Sequence, residues 1–202
     1  YRRGEPETPF TEVGVTDRTG TKVKFLPDLE IFSSIDFSFD TLSQRLRELS
    51  FLNAGIRIQI EDQRSNKEHD FCYEGGIVSF VEHLSRSKAP LHQPPIYISG
   101  VRSFESHGKV TEVSVEIALQ YSDSYNESLF SFANNINPVE GGAHLVGFRT
   151  ALTRALNRHI TTQQRNGRNS AESIGGDDVR EGLTAVISVN LPQPEFEGQT
   201  KT

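Results

Sequence analysis

The sequence has one cysteine, no methionine, no tryptophan and no long apolar run among its 202 residues. Cys72 has no partner for an internal disulfide, which indicates a reducing compartment such as the cytoplasm. No stretch approaches the roughly 20 consecutive apolar residues that a membrane-spanning helix needs, so the composition favours a globular protein. Because even position 1 is a tyrosine, we expect the chain to be part of a longer protein.

Positive charge is also scarce, since 21 Lys and Arg residues oppose 27 Asp and Glu residues and the net charge is −6. This balance argues against a simple basic domain that binds nucleic acid through an overall positive field. Residues 141–171 are the exception, because they contain five arginines, two histidines and no acidic residue. For any single arginine, a solvated helix face is the better interpretation. For the whole set, a surface that faces a polyanion is about as well supported as a solvated helix face.

The common catalytic and metal-binding motifs are missing. There is no glycine-rich phosphate loop ending in Lys-Ser or Lys-Thr, and no recognisable motif surrounds a serine or cysteine nucleophile. The histidines never stand four residues apart, as they do on a zinc-binding helix, so we predict no metal site within this chain. They are His69, His83, His92, His107, His144 and His159.

The periodicity of apolar residues predicts an α+β fold in two parts, with a boundary at Gly75-Gly76. Asp40 is the expected N-cap of the first helix, and the strands at residues 96–99, 110–121 and 128–134 are expected to form a small antiparallel sheet. The predicted helices cover residues 40–52, 77–84 and 143–160, with a helical turn at 177–178. The predicted strands cover residues 10–15 and 21–25 as an antiparallel pair, then 56–60, 69–73, 96–99, 110–121, 128–134 and 184–191.

The helix predicted over residues 143–160 has one apolar and one basic side. At about 100° per residue, Arg154 and Arg158 point away from the apolar arc and Arg149 lies on its flank. The asparagines and glycines before this helix favour a structural turn, although a helix N-terminus can also hold an anion. The residues expected to face a core are Leu145, Phe148, Leu152, Ala155 and Leu156.

Seven runs of the sequence carry a resemblance to a known family. The runs are Thr19-Gly-Thr-Lys-Val-Lys-Phe25, Arg45-Leu-Arg-Glu-Leu-Ser-Phe-Leu-Asn53, Tyr73-Glu-Gly-Gly76, Phe132-Ala-Asn-Asn-Ile-Asn137, Glu140-Gly-Gly-Ala-His-Leu-Val-Gly-Phe-Arg149, Asp178-Val-Arg-Glu-Gly-Leu183 and Phe196-Glu-Gly-Gln-Thr-Lys201. In this order and at this spacing they resemble the ATPase-bearing subunits of bacterial type IIA DNA topoisomerases, most closely the gyrase B branch. The paralogous topoisomerase IV subunits share most of them.

The resemblance implies two domains. Residues 1–72 would be the C-terminal part of an ATP-binding domain of the histidine-kinase-like superfamily. Residues 73–202 would be most of a transducer domain with a ribosomal protein S5 domain 2-like fold, truncated at its C-terminus. In this family ATP binding dimerises the subunit around a DNA duplex, and the gyrase A subunit is the partner that cleaves DNA. The implied outcome is strand passage with negative supercoiling.

The resemblance also implies roles for particular residues. Gly20 and Thr21 match the last nucleotide-site motif, in which the threonine helps to hold the adenine. Gln199 and Lys201 match the loop that reaches the γ-phosphate, and Lys201 is the expected catalytic residue. The helix over residues 143–160 matches the one beside the cavity for captured DNA. Arg149, Arg154 and Arg158 are therefore expected to line that cavity.

Other parts of the family's machinery are not in this sequence. The general-base glutamate and the asparagine that binds Mg²⁺ would lie upstream of Tyr1, so we expect residues 1–202 alone to be inactive. ATP and Mg²⁺ are expected in the full-length subunit, which would be cytoplasmic. Two alternatives stay open at this point: a topoisomerase IV subunit, and a non-enzymatic interaction module that lacks the nucleotide-binding half.

Overall fold

The computed structural model describes residues 1–106, 109–138, 140–164 and 173–194. The chain divides into two compact units, residues 1–42 and residues 43–202. No helix within the described ranges is both long enough and apolar enough to cross a membrane.

Unit 1, residues 1–42, lacks the predicted antiparallel strand pair. All of its residues are described, and neither 10–15 nor 21–25 forms a strand, so that prediction is wrong. Within this unit Phe10 and Val15 are almost fully exposed, at 106% and 98%. A two-stranded hairpin is only marginally stable unless further strands or a helix pack on its apolar side. Unit 1 contains no further strand or helix packed on residues 10–25.

Nearly all of the helices and strands lie in unit 2. The helices and strands predicted between residues 40 and 191 are present in the predicted order, although their ends move by a few residues and β3 is longer than expected. The elements are α1 (Phe39–Leu52), β1 (Ile58–Asp62), β2 (Lys67–Phe71), α2 (Gly76–Leu84), β3 (Ile96–Ser106), β4 (Lys109–Tyr121), β5 (Ser128–Ala133), α3 (Gly142–Gln164), α4 (Gly176–Arg180) and β6 (Leu183–Asn190).

Helix α1 begins earlier than its predicted cap allows. Phe39 is the first helical residue, so Asp40 lies inside the first turn and is not the N-cap. Instead, the Ser38 hydroxyl oxygen accepts a hydrogen bond from the Thr41 backbone N–H at 3.2 Å, the bond that an N-cap makes. The Asp40 carboxylate still lies where the helix dipole favours negative charge.

Two sheets follow. β1 and β2 form an antiparallel pair, and the larger sheet has the strand order β3-β4-β6-β5. β3 and β6 both run antiparallel to β4, but β5 runs parallel to β6. The expected antiparallel sheet of the strands at 96–99, 110–121 and 128–134 is therefore wrong in one pairing, because β6 lies between β4 and β5 and β5 pairs in parallel with β6. The physical reason is the connection: the chain passes through α3 and α4 between β5 and β6, and such a crossover allows parallel pairing.

The larger sheet is covered on both faces around β6, whereas the large apolar side chains of β3 remain about half exposed. Seven of the eight residues of β6 are buried, which is typical of a strand with a layer on each side. The buried residues on the first side, where α1 and α2 pack, are Phe51, Leu52, Ile77, Phe80, Val81, Ala118, Phe132 and Val186. Those on the second side, where α3 packs, are Leu119, Leu145, Phe148, Leu183, Ala185 and Ile187.

Candidate functional site

Helix α3 starts at two glycines whose backbone conformation few other residues adopt. Gly141 and Gly142 have φ angles of +83° and +68°, in the left-handed region that glycine enters without strain. A Cβ atom on Gly141 would also lie 2.4 Å from Cδ2 of Leu145. The Gly141 carbonyl accepts a hydrogen bond from Ser131 Oγ at 2.9 Å, which fixes the start of α3 against β5.

The inner side of α3 packs on the sheet only along its first half. Leu145 and Phe148 are buried and Leu152 is half-buried against the sheet. The prediction that Ala155 and Leu156 also face the core is wrong, since both are exposed, Leu156 by 37%. The last turns of α3 therefore bury little apolar side-chain area against the sheet.

The outer side of α3 presents two exposed arginines one turn apart, Arg154 and Arg158. Neither makes an ion pair with another described residue. The hydroxyls of Thr150, Thr153 and Thr162 donate to carbonyl oxygens four residues earlier in the helix, at 2.8–3.0 Å. Since α3 contains no acidic residue, its outer side carries positive side-chain charges and no negative ones of its own.

Arg149 differs from the other two arginines because it is held in an ion-pair network. Its Nη2 donates to Glu127 Oε1 at 2.7 Å, while the second oxygen of that carboxylate accepts from Arg180 Nε at 2.9 Å. Arg180 also pairs with Asp177 at 2.5 Å. This network ties α3 to α4 and to the connection between β4 and β5, and it partly neutralises Arg149. Sequence reasoning missed it because Glu127 stands 22 residues before Arg149 and no local pattern links the two.

His144, in the first turn of α3, is a half-buried histidine. Its Nε2 atom has no hydrogen-bond partner among the described residues. A Cβ atom on Gly142 would lie 3.0 Å from both Cε1 and Nδ1, so the ring packs directly against the glycine backbone. Burial lowers the pKa of His144 below its ordinary value of 6.5. The pKa of His83 in α2 is also lowered, first by burial and then by Arg86 and Arg47.

These two histidines predict how stability depends on pH. When the folded pKa lies below 6.5, the unfolded chain binds protons more readily in the interval between the two values, so stability rises with pH there. We therefore expect the free energy of unfolding to fall as pH drops from about 7.5 to about 5.5. His144→Gln should flatten this dependence, as measured by urea unfolding at several pH values. His159→Gln, at an exposed position on the same helix, is the control, and an equal flattening by both variants would contradict the assignment.

The residues predicted to contact nucleotide are only partly described. Gly20 and Thr21 are exposed in unit 1, and nothing lies within 4 Å of a Cβ built on Gly20, so a ligand could approach this backbone. Gln199 and Lys201 lie outside the described residues. In the ranges that are described, no three His, Cys, Asp or Glu side chains lie close enough together to hold a metal ion such as Mg²⁺.

Comparison with known proteins identifies the family. The DNA gyrase B family model matches residues 76–202, which is more than half of the chain. The chain belongs to the DNA gyrase B family. The DNA gyrase B protein of Clostridium acetobutylicum is 52% identical over all 202 residues, which amount to 30% of that relative. The DNA gyrase B protein of Myxococcus xanthus is 51% identical over the same length, or 24% of the relative. The chain thus spans about a quarter to a third of these two gyrase B relatives.

The solved structures agree with the gyrase B assignment. The 43K ATPase domain of Thermus thermophilus gyrase B, in complex with an aminocoumarin, superposes with a TM-score of 0.69 at 36% identity, over 85% of this chain and 44% of that one. The α+β fold therefore resembles a gyrase B ATPase domain. The topoisomerase IV ATP-binding domain of Francisella tularensis gives 0.62 at 21% identity, over 87% of this chain and 44% of that one, and shares the fold alone. The choice that the sequence left open is thus resolved towards gyrase B.

Proposed function

We propose that this chain is part of the ATPase subunit of a DNA gyrase, and that it couples ATP binding and hydrolysis to DNA strand passage and negative supercoiling. Membership of the gyrase B family supports the class of activity. The exposed, acid-free outer side of α3 is the feature of this molecule that supports its contact with DNA. The subunit would act as a type IIA topoisomerase in the cytoplasm.

The proposal assigns the chain to the two domains that the resemblance implies. Residues 1–72 would form the C-terminal part of the ATP-binding domain, and residues 73–202 most of a transducer with a ribosomal protein S5 domain 2-like fold. The family match begins at Gly76, the first residue of α2, which supports a boundary near this position. The sheet and α3 would then belong to the transducer.

In the proposed nucleotide site, Gly20 and Thr21 form the last nucleotide-site motif, the Thr21 side chain helps to hold the adenine, and Gln199 and Lys201 contact the γ-phosphate. Gly20 leaves its surroundings open and the Thr21 hydroxyl is available to hydrogen-bond a base. Lys201 would supply a compact positive charge to phosphate oxygens, and Gln199 an amide donor. The Mg²⁺ that ATP carries would be held by residues outside this chain. Residues 1–202 alone would then not hydrolyse ATP.

In the proposed DNA contact, the arginines of α3 bind phosphates without reading sequence. Arg154 and Arg158 are exposed and have no acidic partner among the described side chains, so their charges are available to a duplex. Arg149 would contribute only after exchanging Glu127 for a phosphate. The proposed partners are double-stranded DNA, the gyrase A subunit and, on ATP binding, a second copy of the full-length subunit.

The test of this proposal is the double variant Arg154→Ala with Arg158→Ala in a full-length subunit that carries this sequence. Each lost phosphate contact should lower the slope of log binding constant against log salt by about one, so the pair should lower it by about two. With the gyrase A subunit present, DNA-stimulated ATPase activity and plasmid supercoiling should both fall, while the basal ATPase rate stays unchanged.

Arg64→Ala is the matched control, because Arg64 is an exposed arginine of the turn between β1 and β2 and pairs with Asp62. It should leave the salt slope and supercoiling unchanged. If the double variant retains normal supercoiling and DNA stimulation, the outer side of α3 is an ordinary solvated surface and the proposed DNA contact is wrong.

A further inference from the structure

Helices α1 and α2 pack together through a stack of aromatic rings. The Phe51 ring of α1 lies almost parallel to the Phe80 ring of α2, with 4.8 Å between the ring centroids. The His83 ring, three residues further along α2, has its centroid 5.4 Å from that of Phe51. His83 is half-buried, and this contact holds its imidazole beside α1.

Arg47 precedes Phe51 by one turn and lies on the same side of α1. Its guanidinium carbon lies 5.2 Å from the centroid of the Phe71 ring in β2, which is a cation–π contact. Such a contact orients the side chain but leaves its positive charge without a counter-charge. Arg47 is half-buried, so the aromatic ring holds a guanidinium group next to the contact between α1 and α2.

Arg86 lies two residues beyond the end of α2. Its backbone N–H donates to the His83 carbonyl oxygen at 3.4 Å, so the chain turns directly after the helix and keeps Arg86 near His83. Neither Arg47 nor Arg86 forms an ion pair within the part of the chain that the structure describes. Glu82, the acidic residue of α2, pairs with neither arginine.

The charges of both arginines act on the His83 imidazole. Burial lowers the pKa of His83, and the positive charges of Arg86 and Arg47 lower it further. Near neutral pH the three side chains therefore present two positive charges and one neutral imidazole. By contrast, the two arginines of the network between α3 and α4 share one carboxylate. Two positive charges close together without a carboxylate attract an anion.

We propose that Arg47, His83 and Arg86 form a binding site for a phosphate group. The two guanidinium groups offer planar pairs of N–H donors, and the neutral imidazole offers one further N–H. The tetrahedral oxygens of phosphate accept from donors that approach in different directions, whereas a carboxylate has its two oxygens in one plane. The site lies on the side of the sheet that α1 and α2 cover, opposite α3. It therefore does not depend on the proposed DNA contact of α3.

Titration of the 202-residue chain with sodium phosphate, followed by NMR signals of the His83 ring, tests the site. With ionic strength held constant by sodium chloride, phosphate should shift these signals to saturation, with a dissociation constant of about 1 mM. Bound phosphate should also raise the pKa of His83, because it offsets the charges of Arg86 and Arg47. A shift that chloride alone reproduces would overturn the proposal.

Arg86→Ala is the deciding variant, because Arg86 is exposed and its removal takes no side chain out of the core. It should weaken phosphate binding by about 10-fold or more, the effect of losing one charged hydrogen-bonding group. Arg86→Lys keeps the charge and should restore part of the affinity. Arg102→Ala removes an exposed arginine of β3 and is the matched control, which should bind phosphate as the wild type does. Equal binding by Arg86→Ala and wild type would show that there is no such site.

The source of the phosphate group is identified with the same variant. If the ligand is the backbone of duplex DNA, Arg86→Ala in the full-length subunit should lower the slope of log binding constant against log salt by about one. An unchanged slope would assign the site to a nucleotide or free phosphate, and titration with ATP in place of phosphate distinguishes these two. Arg154 and Arg158 test the contact of α3 separately, so either proposal can fail while the other holds.

Discussion

Replacing Lys201 with alanine in a full-length gyrase B protein carrying this sequence should lower kcat for ATP hydrolysis by about 10²–10³-fold, as the loss of one electrostatic stabiliser does in other enzymes. During phosphoryl transfer the γ-phosphoryl oxygens hold negative charge, and a positioned ammonium group stabilises that charge. ADP has no γ-phosphate, so its affinity should change little. Steady-state ATPase assays and calorimetric ADP titration measure the two quantities.

Lys67→Ala is the matched control for this prediction, because Lys67 is an exposed lysine at the start of β2 and is not among the proposed nucleotide contacts. Its kcat should equal that of the wild type. Gln199→Ala should lower kcat less than Lys201→Ala does, since a neutral amide donor stabilises charge less than an ammonium group. A Lys201→Ala variant that loses ADP binding but retains turnover would show that Lys201 has a different role.

The second large effect concerns folding. Phe51 of α1 is 1% exposed, and its ring centroid lies 3.7 Å from that of Tyr73 and 4.8 Å from that of Phe80. Phe51→Ala would leave a cavity among these rings where α1 and α2 meet the sheet, and should lower the free energy of unfolding by about 3–5 kcal/mol. Urea unfolding of the 202-residue chain, followed by circular dichroism, measures this loss.

Phe104→Ala removes the same ring from β3, at a position that is 57% exposed, and is the matched control. Because little apolar area is buried there, the expected cost is below about 1 kcal/mol. Similar losses for the two variants would mean that the aromatic cluster around Phe51 is not the part of the core that limits stability.

The sequence predicts strands well where their packing produces a local pattern. In β4, alternation of Val113, Val115, Ile117 and Leu119 with polar residues places these apolar side chains on one face of the sheet, and Ile117 and Leu119 pack there with α3. The same reasoning failed for residues 10–25. Alternation shows that a strand would have one apolar face, but it does not show that another strand or helix packs on that face. The reasoning failed again for the neighbour of β5, because β6, which follows α3 and α4 in the sequence, lies between β4 and β5.

In the candidate site, too, features set by local geometry could be predicted, whereas contacts between residues far apart in the sequence could not. The exposure of Arg154 and Arg158 follows from helical geometry, and the structure confirms it. The Glu127 partner of Arg149 and the Leu191 partner of Asn134 could not be predicted, since 22 and 57 residues separate the members of each pair. The asparagine run gave a correct signal for a turn. It carried no information about what the side-chain amides bind.

The order of strands in the larger sheet also affects the nascent chain. β6 lies between β4 and β5, yet it is the last of these four strands to be synthesised. Roughly 50 residues separate the end of β5 from the start of β6, and at about 5–20 residues per second a ribosome needs about 3–10 s to make them. Throughout that interval Phe130 and Phe132 belong to a strand without its partner, and an unpaired apolar edge is a site of aggregation. The solubility of the protein during translation therefore depends on how quickly β6 arrives.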